Sequence, residues 1–156
     1  MISRDFKYLK EELRLKYYEW VILMDKAKLN HIITCTGRTM DVQMAYFLRG
    51  RASLKLVHYY YKYAGLNEII TEAQNKYAIT WTLESRHLIA PPDKMVCSAF
   101  DFVIAKDGIP VWSGKADVNK NQIPDYEEAG KLAEKVGLEA GAFWTKPDYC
   151  HIQLKS

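Results

Sequence analysis

Two histidines and two aspartates could together do hydrolytic chemistry: His87 and Asp101 in the middle of the chain, Asp148 and His151 near its end. A catalytic zinc site needs three protein ligands, an open position for water and a base beside that water. These four side chains supply three ligands and one spare carboxylate. The spacing alone is a weak signal, and the residues around each position strengthen it.

Each of these residues also has an ordinary explanation when it is taken alone. A lone histidine such as His87 is more often structural than a ligand. Asp101 lies inside an apolar segment, where a partly buried carboxylate needs a metal or an arginine as its partner. Asp148 and His151 are three residues apart, so in a regular strand they would point to opposite faces. They can converge only if Asp148 lies in a turn before the strand, which Pro147 favours.

The elements that must position these residues indicate an α+β domain, because helices come first and antiparallel strands follow. Apolar residues at steps of three and four from Phe6 to Met24 predict an amphipathic helix from about Asp5 to Ala27. Asp125 is the predicted N-cap of the last helix, and Glu128 completes a capping box. A short helix capped by Thr39 or Asp41 is predicted to end at Leu48, another runs from about 53 to 64, 67–76 is a weaker candidate, and the last helix ends near 136. The predicted strands are at 32–36, 80–83, 95–105, 109–112 and 151–154.

Length and composition limit the function classes further. The 156 residues predict one domain, 1–156, and the net charge of +3 suits an anionic polymer without requiring one. Cys35, Cys97 and Cys150 have neither the CxxC spacing of a metal site nor that of a disulfide framework, so we expect buried free thiols in a reducing compartment. The first residues do not read as a signal peptide, and no segment reaches the length of a membrane span.

The four residues stand within short patterns that occur together as a set. These are Ser85-x-His87, Ala99-x-Asp101, Gly-Leu-x-x-Gly-x-x-Trp over 137–144, and Asp148-x-x-His151, with Thr34 to Thr39 and Gln43 upstream. The set resembles the zinc D-alanyl-D-alanine carboxypeptidase family. It is most similar to the branch of phage endolysins and L-alanyl-D-glutamate endopeptidases, which cut peptidoglycan stem peptides. The resemblance implies a small antiparallel sheet with flanking helices, as in the D-Ala-D-Ala metallopeptidases.

The resemblance also implies a role for each matched residue. His87, Asp101 and His151 resemble the ligands of Zn²⁺. Asp148 resembles the general base that takes a proton from the attacking water and can return it to the leaving amine. Arg38 resembles the cation that binds the substrate and steadies the scissile carbonyl.

Arg38, Gln43 and Ser85 form the implied substrate-binding group. Stem peptides carry free carboxylates, and the guanidinium of Arg38 offers a bidentate fork for one of them. Without the resemblance, a surface arginine at a strand end would be an equally good interpretation. Gln43 is expected to support Arg38, and Ser85 is expected to assist by hydrogen bonding near the site.

The chain departs from the family pattern in three places. The family usually places its first histidine and its aspartate seven residues apart, whereas here they are fourteen apart, with residues 88–100 between them. This insertion predicts a longer loop between two ligands that still meet. The usual Trp-Gly-Gly is replaced by Ala140-Gly141-Ala142, and Ile152 stands where phenylalanine often follows the last histidine.

A second kind of metal site is indicated at 117–128. Oxygen-bearing side chains occupy positions 1, 3, 5, 9 and 12 of this twelve-residue segment, a pattern of EF-hand calcium loops: Asp117, Asn119, Asn121, Asp125 and Glu128. Position six is Gln122 rather than the glycine of the sharp turn, and position eight is Pro124. A polar loop leading into a capped helix is the alternative to a Ca²⁺ site.

The leading hypothesis is therefore a zinc-dependent peptidoglycan peptidase of phage endolysin type that cuts the L-Ala–D-Glu bond of stem peptides. We expect a monomer, made in the host cytoplasm and acting in the periplasm or cell wall after release. A D-alanyl-D-alanine carboxypeptidase using the same residues is the close alternative, because the bond that is cut depends on pocket shape.

Two other classes of function are open at this stage. Basic charge and the tyrosines of His58–Tyr63 could stack nucleic-acid bases. Within a predicted helix, however, these rings face several directions, so we do not expect nucleic acid as a partner. A metal-free binding protein that keeps the same fold would not need the complete set of ligands and base.

Overall fold

The computed structural model describes residues 1–89 and 97–155. Within these ranges the α-helices are α1 (Glu11–Lys26), α2 (Met40–Leu48), α3 (Leu54–Tyr63) and α4 (Asp125–Lys135). Short 3-10 helices lie at Phe6–Tyr8, Gln74–Lys76 and Gly141–Phe143. None of the described helices is both long and apolar enough to cross a membrane.

The strands are β1 (Ile2–Ser3), β2 (Asn30–Cys35), β3 (Gly37–Arg38), β4 (Ala99–Lys106), β5 (Ile109–Val111), β6 (Leu138–Ala140) and β7 (His151–Leu154). The main sheet has the order β2-β4-β7-β6 with all neighbours antiparallel, and β5 pairs with the end of β4. β1 and β3 form a separate antiparallel pair. The prediction of an α+β fold with a small antiparallel sheet and flanking helices is confirmed.

The main core lies between the sheet and the two long helices α1 and α4. Trp20 of α1 is fully buried; its ring contacts Phe100 and Phe102 of β4, and its Nε1 donates a hydrogen bond to the Ala129 carbonyl of α4 at 2.9 Å. Apolar residues at helical spacing make this packing possible, since one stripe of α1 can then face the sheet continuously. Strand β4 is held in the centre of the molecule as a result.

A second, smaller core joins α2 and α3. Val42 and Ala45 of α2 pack against Val57 and Tyr61 of α3, all of them buried, and Ile70 covers the end of this pair. Ser53 caps α3 by accepting a hydrogen bond from the Leu56 amide. This unit lies beside the main sheet and carries Gln43 on its buried side.

Several predicted elements differ from the structure. α1 begins at Glu11 rather than near Asp5, because Asp5 instead caps the 3-10 turn that precedes it. The segment 67–76 contains only a 3-10 turn, and 80–83 is not a strand. β6 was not expected. The predicted loop 91–94, and residues 95 and 96 of the predicted strand, lie outside the described residues.

The predicted capping box of α4 is wrong. Its N-cap is Pro124, and Asp125 is the first helical residue, with its carboxylate accepting a hydrogen bond from the Val118 amide at 2.8 Å. The Glu128 carboxylate does not turn back to the cap but accepts hydrogen bonds from Asn119 and Asn121. Both acidic side chains therefore face the preceding loop rather than the helix end.

The three cysteines are free thiols. Cys35 and Cys97 are buried, as expected, whereas Cys150 is half-buried. The absence of a bridge between them agrees with the spacing, which matched no disulfide framework.

Candidate functional site

Strands β4 and β7 bring Asp101 and His151 together. The two residues are direct cross-strand partners, so their side chains stand next to each other on one face of the sheet. Asp148 lies just before β7, in the expected turn, where its carbonyl accepts a hydrogen bond from the His151 amide at 3.2 Å. The two ends of Asp148-x-x-His151 therefore reach the same region despite their odd spacing.

His87 reaches the same place from a turn docked on β3. The Leu88 amide bonds to the Ser85 carbonyl, and Arg38 of β3 exchanges backbone hydrogen bonds with both His87 and Ile89. These bonds hold the His87 segment in place before the chain enters the insertion. The fourteen-residue separation between His87 and Asp101 thus does not prevent the two side chains from meeting.

Three heteroatoms of this group converge on one point. His87 Nε2 lies 3.1 Å from Asp101 Oδ1, His151 Nδ1 lies 3.0 Å from the same oxygen, and the two nitrogens are 3.2 Å apart. Ligand atoms at about 2.0–2.1 Å from a tetrahedral zinc ion would be about 3.3–3.4 Å from one another. The mutual distances in the cluster are close to this value.

The hydrogen bonds around His151 orient its ring for this role. Its Nε2 lies 3.1 Å from Gln153 Oε1, an acceptor, which favours a proton on Nε2, while Nδ1 faces Asp101 Oδ1 at 3.0 Å. The Gln153 amide is oriented in turn by Glu139, its cross-strand partner, which also accepts a hydrogen bond from Trp144 Nε1 at 2.6 Å. Gln153 and Glu139 were not foreseen, although the two-residue step from His151 to Gln153 is a detectable signal.

The pKa shifts of the three residues follow from burial and from their mutual contacts. Burial would lower the pKa of His151, but its hydrogen bond to Asp101 raises it. Burial lowers the pKa of His87, so its ring is neutral at neutral pH. Burial alone would raise the pKa of Asp101, but the neighbouring His87 and His151 hold it well below its usual range. A neutral imidazole and an ionised carboxylate are the forms that bind metal. On its other side, His87 Nδ1 is buried and has no hydrogen-bond partner within the described residues.

Cys35 is a further candidate ligand that the sequence reasoning missed. Its Sγ belongs, with ligand atoms of His87 and Asp101, to a group whose members all lie within 4.8 Å of one another. Cys35 is the cross-strand partner of Asp101, after a register shift in β2 that follows Ile33. Nothing in the spacing of Cys35 reveals this proximity, because the pairing of β2 with β4 creates it.

Arg38 is held beside the cluster by two of its predicted partners. Its Nε donates to Gln43 Oε1 at 2.5 Å, and its Nη2 donates to Ser85 Oγ at 3.1 Å. Gln43 is fully buried and donates from its amide nitrogen to Thr80 Oγ1 and to the Thr82 carbonyl. Arg38 Nη1 lies 4.0 Å from Asp101 Oδ2, the carboxylate oxygen that faces away from the histidines.

Asp148 is exposed at the side of the cluster and is fixed through its backbone. Its amide donates to the Gly141 carbonyl at 2.9 Å. The Cys150 thiol, whose pKa is raised by burial, donates to Asp148 Oδ1 at 3.4 Å. A carboxylate in this position is accessible to water and to substrate, as a general base must be.

The predicted peptidase residues other than Gln43, together with Cys35, Cys150 and Gln153, line one cleft of about 1090 Å³. Three tryptophans line its walls: Trp81, Trp112 and Trp144. Three cationic side chains from separate segments also line it: Arg38, Arg86 and Lys146. Lys146 Nζ lies 4.8 Å above the Trp81 ring. The cleft therefore combines apolar surface with positive charge beside the candidate metal ligands, and five of these six residues were not among the predicted site residues.

The predicted calcium ligands do not line this cleft. Asp117, Asn119 and Asn121 lie in the loop before α4, and Asp125 and Glu128 lie in the first turn of that helix. The loop contacts the end of α1, where Asn119 Nδ2 donates to the Ala27 carbonyl at 2.9 Å. The two predicted metal groups are thus separate and share no residue.

No protein-family model and no curated protein matches the chain. Among solved structures, it is similar to the crystal structure of the L-Ala D-Glu endopeptidase ChiX of Serratia marcescens. The TM-score is 0.57 and the sequence identity 15%, over 96% of this chain and 83% of that chain. At this identity the likeness concerns the fold. The chain has an α+β, endopeptidase-like fold.

Proposed function

We propose that this protein is a zinc-dependent peptidase that cuts the L-Ala–D-Glu bond of peptidoglycan stem peptides. The observation that carries the proposal is the convergence of His87, Asp101 and His151 within 3.0–3.2 Å of one another, beside a cationic cleft. The similarity in fold to an L-Ala D-Glu endopeptidase supports the choice of bond.

The metal part of the proposal rests on the donor set. Two imidazole nitrogens and one carboxylate oxygen are a usual ligand set of catalytic zinc, which keeps a further position open. Zinc held by His87, Asp101 and His151 would supply Lewis-acid chemistry at the scissile carbonyl. The contact between His151 Nε2 and Gln153 Oε1 favours the tautomer whose Nδ1 lone pair would be free for the metal.

The chain's own residues carry the proton transfers and the electrostatic stabilisation. Asp148 accepts a proton from the attacking water and returns it to the amine of the leaving D-glutamate. Arg38 directs its guanidinium at the developing oxyanion, and it is already oriented by Gln43 and Ser85, so little reorganisation accompanies the reaction.

Substrate binding is assigned to the cations and tryptophans of the cleft. Stem peptides carry several free carboxylates, and Arg38, Arg86 and Lys146 surround the position where such a peptide would lie. The tryptophan walls offer apolar contact for the methyl groups of alanine and the methylenes of glutamate. The proposal includes action in the periplasm or cell wall, where these peptides occur, after release of phage type.

The test is mass spectrometry of purified peptidoglycan digested by the zinc-loaded protein. We expect new L-alanine carboxyl ends and D-glutamate amino ends. Asp148→Asn, which keeps the size of the side chain but cannot accept the proton, is the matched control and should give no products above background.

Two outcomes would contradict the proposal in different ways. Loss of a single terminal D-alanine would mean that the same residues serve a carboxypeptidase. Absence of any product from protein that has bound one zinc ion would mean that the substrate class is wrong.

A further inference from the structure

The loop between β5 and α4 holds a group of oxygen atoms that the proposed peptidase does not use. It comprises residues 117–128, and its polar side chains stand at positions one, three, five, nine and twelve. The backbone wraps around the first of them. Asp117 accepts hydrogen bonds from the Asn121 amide on one carboxylate oxygen and from the Gln122 amide on the other, both at 3.0 Å.

The turn at position six has the conformation that a calcium loop requires. Gln122 has a φ of +70°, in the left-handed region that glycine usually occupies at this position of an EF-hand loop. The replacement of glycine by Gln122 therefore has not abolished the sharp turn. Pro124 at position eight is accommodated as the N-cap of α4.

Positions three, five and twelve meet at one carboxylate. Asn119 Nδ2 and Asn121 Nδ2 lie 2.9 Å and 2.8 Å from the same oxygen of Glu128. Asn121 is exposed, and its Oδ1 accepts a hydrogen bond from the Ile123 amide at 2.9 Å. Rotation about its terminal torsion would give up that bond and bring the carbonyl oxygen to the point that the amide nitrogen now occupies. Asn119 is less free, because its Nδ2 also donates to the Ala27 carbonyl.

Asp125 provides an independent indication of a missing ligand. Its side chain is completely buried, and Oδ1 has no hydrogen-bond partner within the described residues, while Oδ2 accepts from the Val118 amide at position two of the loop. The carboxylates of Asp117 and Glu128 are close enough to repel its charge. Three acidic groups therefore lie together, and the described ion pairs give none of them a basic partner.

A buried carboxylate with a free oxygen is costly unless a cation balances it. The surrounding groups favour a hard cation, since all the available atoms are oxygens. A soft or nitrogen-preferring metal would find no sulfur or imidazole ligand in this loop. The three carboxylates also favour a divalent ion over a monovalent one.

We propose that residues 117–128 form a calcium site, separate from the peptidase cleft. Its ligands are the side-chain oxygens of Asp117, Asn121, Asp125 and Glu128 and the carbonyl of Ile123 at position seven. Asn119 is the tether that joins the loop to the end of α1 through Ala27. A bound ion would stabilise the junction of α1 and α4.

The experiment is calorimetric titration of the chelator-treated full chain with Ca²⁺, together with its thermal unfolding. We expect one ion per chain, a Kd of about 10⁻⁵ to 10⁻³ M, and a rise in Tm. Glu128→Gln should abolish both effects. Glu127→Gln removes the same charge from the same helical turn but lies outside the ligand pattern, so it should leave binding unchanged.

Absence of both heat and a Tm shift at a Ca²⁺ concentration about ten times the weakest expected Kd would overturn the proposal. Wild-type binding by Glu128→Gln would also overturn it, because the ion would then lie elsewhere. The titration is repeated with His87→Ala. Loss of Ca²⁺ binding in that variant would place the ion in the histidine cluster and exclude the loop.

Discussion

At the scale of single residues, the candidate metal site consists of three ligand atoms whose lone pairs are directed at one another. Nε2 of His87, Oδ1 of Asp101 and Nδ1 of His151 are all within 3.2 Å of each other, which is unfavourable unless a proton or a cation lies between them. Asp148 stands apart from this group and is exposed. Metal binding and proton transfer are therefore assigned to different side chains and can be separated by mutation.

We expect His151→Ala to lose zinc and activity together, whereas Asp148→Ala should keep one zinc per chain. Turnover of Asp148→Ala should fall by about 10²- to 10⁴-fold, the usual contribution of a general base. Metal content by atomic spectroscopy and turnover of a stem peptide are measured on the same samples. Wild-type turnover by Asp148→Ala would remove Asp148 from the mechanism.

We propose that Gln43 is a positioning residue that acts on the substrate through its hydrogen bond with Arg38. Replacement by leucine keeps the approximate size, but it leaves Arg38 Nε without its acceptor and removes the amide donor to Thr80 and Thr82. We expect Gln43→Leu to lower the free energy of unfolding by about 1–3 kcal/mol and to raise KM. Gln43→Glu, which keeps an acceptor for Arg38, should restore KM better than it restores stability. Equal KM values for the two variants would contradict this role.

The buried cysteines predict a pH dependence of chemical labelling. Burial, with the Asp101 carboxylate adding to it, raises the pKa of Cys35 to about 12, and burial raises that of Cys97 to about 11. The reactive thiolate is thus scarce at neutral pH and grows as the pH rises towards these values. We expect slow alkylation of both in the native protein and fast alkylation in denaturant, measured by peptide mass spectrometry. Native labelling of Cys35 at the denatured rate would show that its thiol is accessible.

At the scale of elements, the position of Asp148 is set by the packing of its turn against Gly141. A Cβ at Gly141 would lie 2.6 Å from the Asp148 carbonyl oxygen and 3.2 Å from the Cβ atoms of Asp148 and His151. The closest of these atoms is backbone, which cannot rotate away. This glycine therefore allows the 3-10 turn at 141–143 and the start of β7 to approach each other.

We expect Gly141→Ala to displace the turn and to lower both zinc affinity and turnover, at a cost of about 1–3 kcal/mol in stability. Gly114→Ala is the control. Its added Cβ would meet only the ring of Tyr149, at 3.3 Å, and this side chain is 40% exposed and can move. Kinetics, zinc titration and thermal unfolding are compared for both variants. Unchanged turnover in Gly141→Ala would show that Asp148 can act as the general base even when the turn that carries it is displaced.

At the scale of the whole molecule, the two proposed metal sites occupy different parts of the fold. The histidine cluster lies on the sheet, beside the cleft, and the calcium loop joins α1 to α4. Because they share no residue, their contributions to stability should be nearly additive.

We expect chelation of both metals to lower Tm and to abolish activity. Each ion at about 100 times its Kd should restore about 2.7 kcal/mol of stability. Zinc alone should restore turnover, and calcium alone should restore only part of Tm. The measurements are thermal unfolding and turnover after each addition. Turnover restored by calcium without zinc would contradict the assignment of the two sites.

Much of the fold could be predicted because its signals are local. The apolar stripe of α1, the end of α2 at Leu48 and the approximate span of α3 follow from helical spacing and end residues. The apolar run of β4, followed by the turn at Asp107 and Gly108, predicts a hairpin in the same way. These features depend on neighbours within a few positions along the chain.

For the candidate site, the sequence could predict which residues take part but not which contacts they make. The four chemical residues and Arg38 stand in recognisable patterns, and the structure brings them together beside one cleft. The partners of these residues were not predictable. Gln43 donates hydrogen bonds to the Thr80 hydroxyl and the Thr82 carbonyl, in a segment that was expected to be a strand. Trp81 and Lys146, which are far apart in sequence, meet in the cleft.

Sequence patterns alone specify which side chains are available and which short segments are helix or strand. Tertiary structure decides which of those side chains meet. Cys35 lies beside Asp101 only because β2 pairs with β4 after a register shift, and His151 is oriented by Gln153 and Glu139 only because β6 pairs with β7. The physical reason is that periodicity and capping act over a few residues, whereas strand pairing and side-chain packing join residues at any separation.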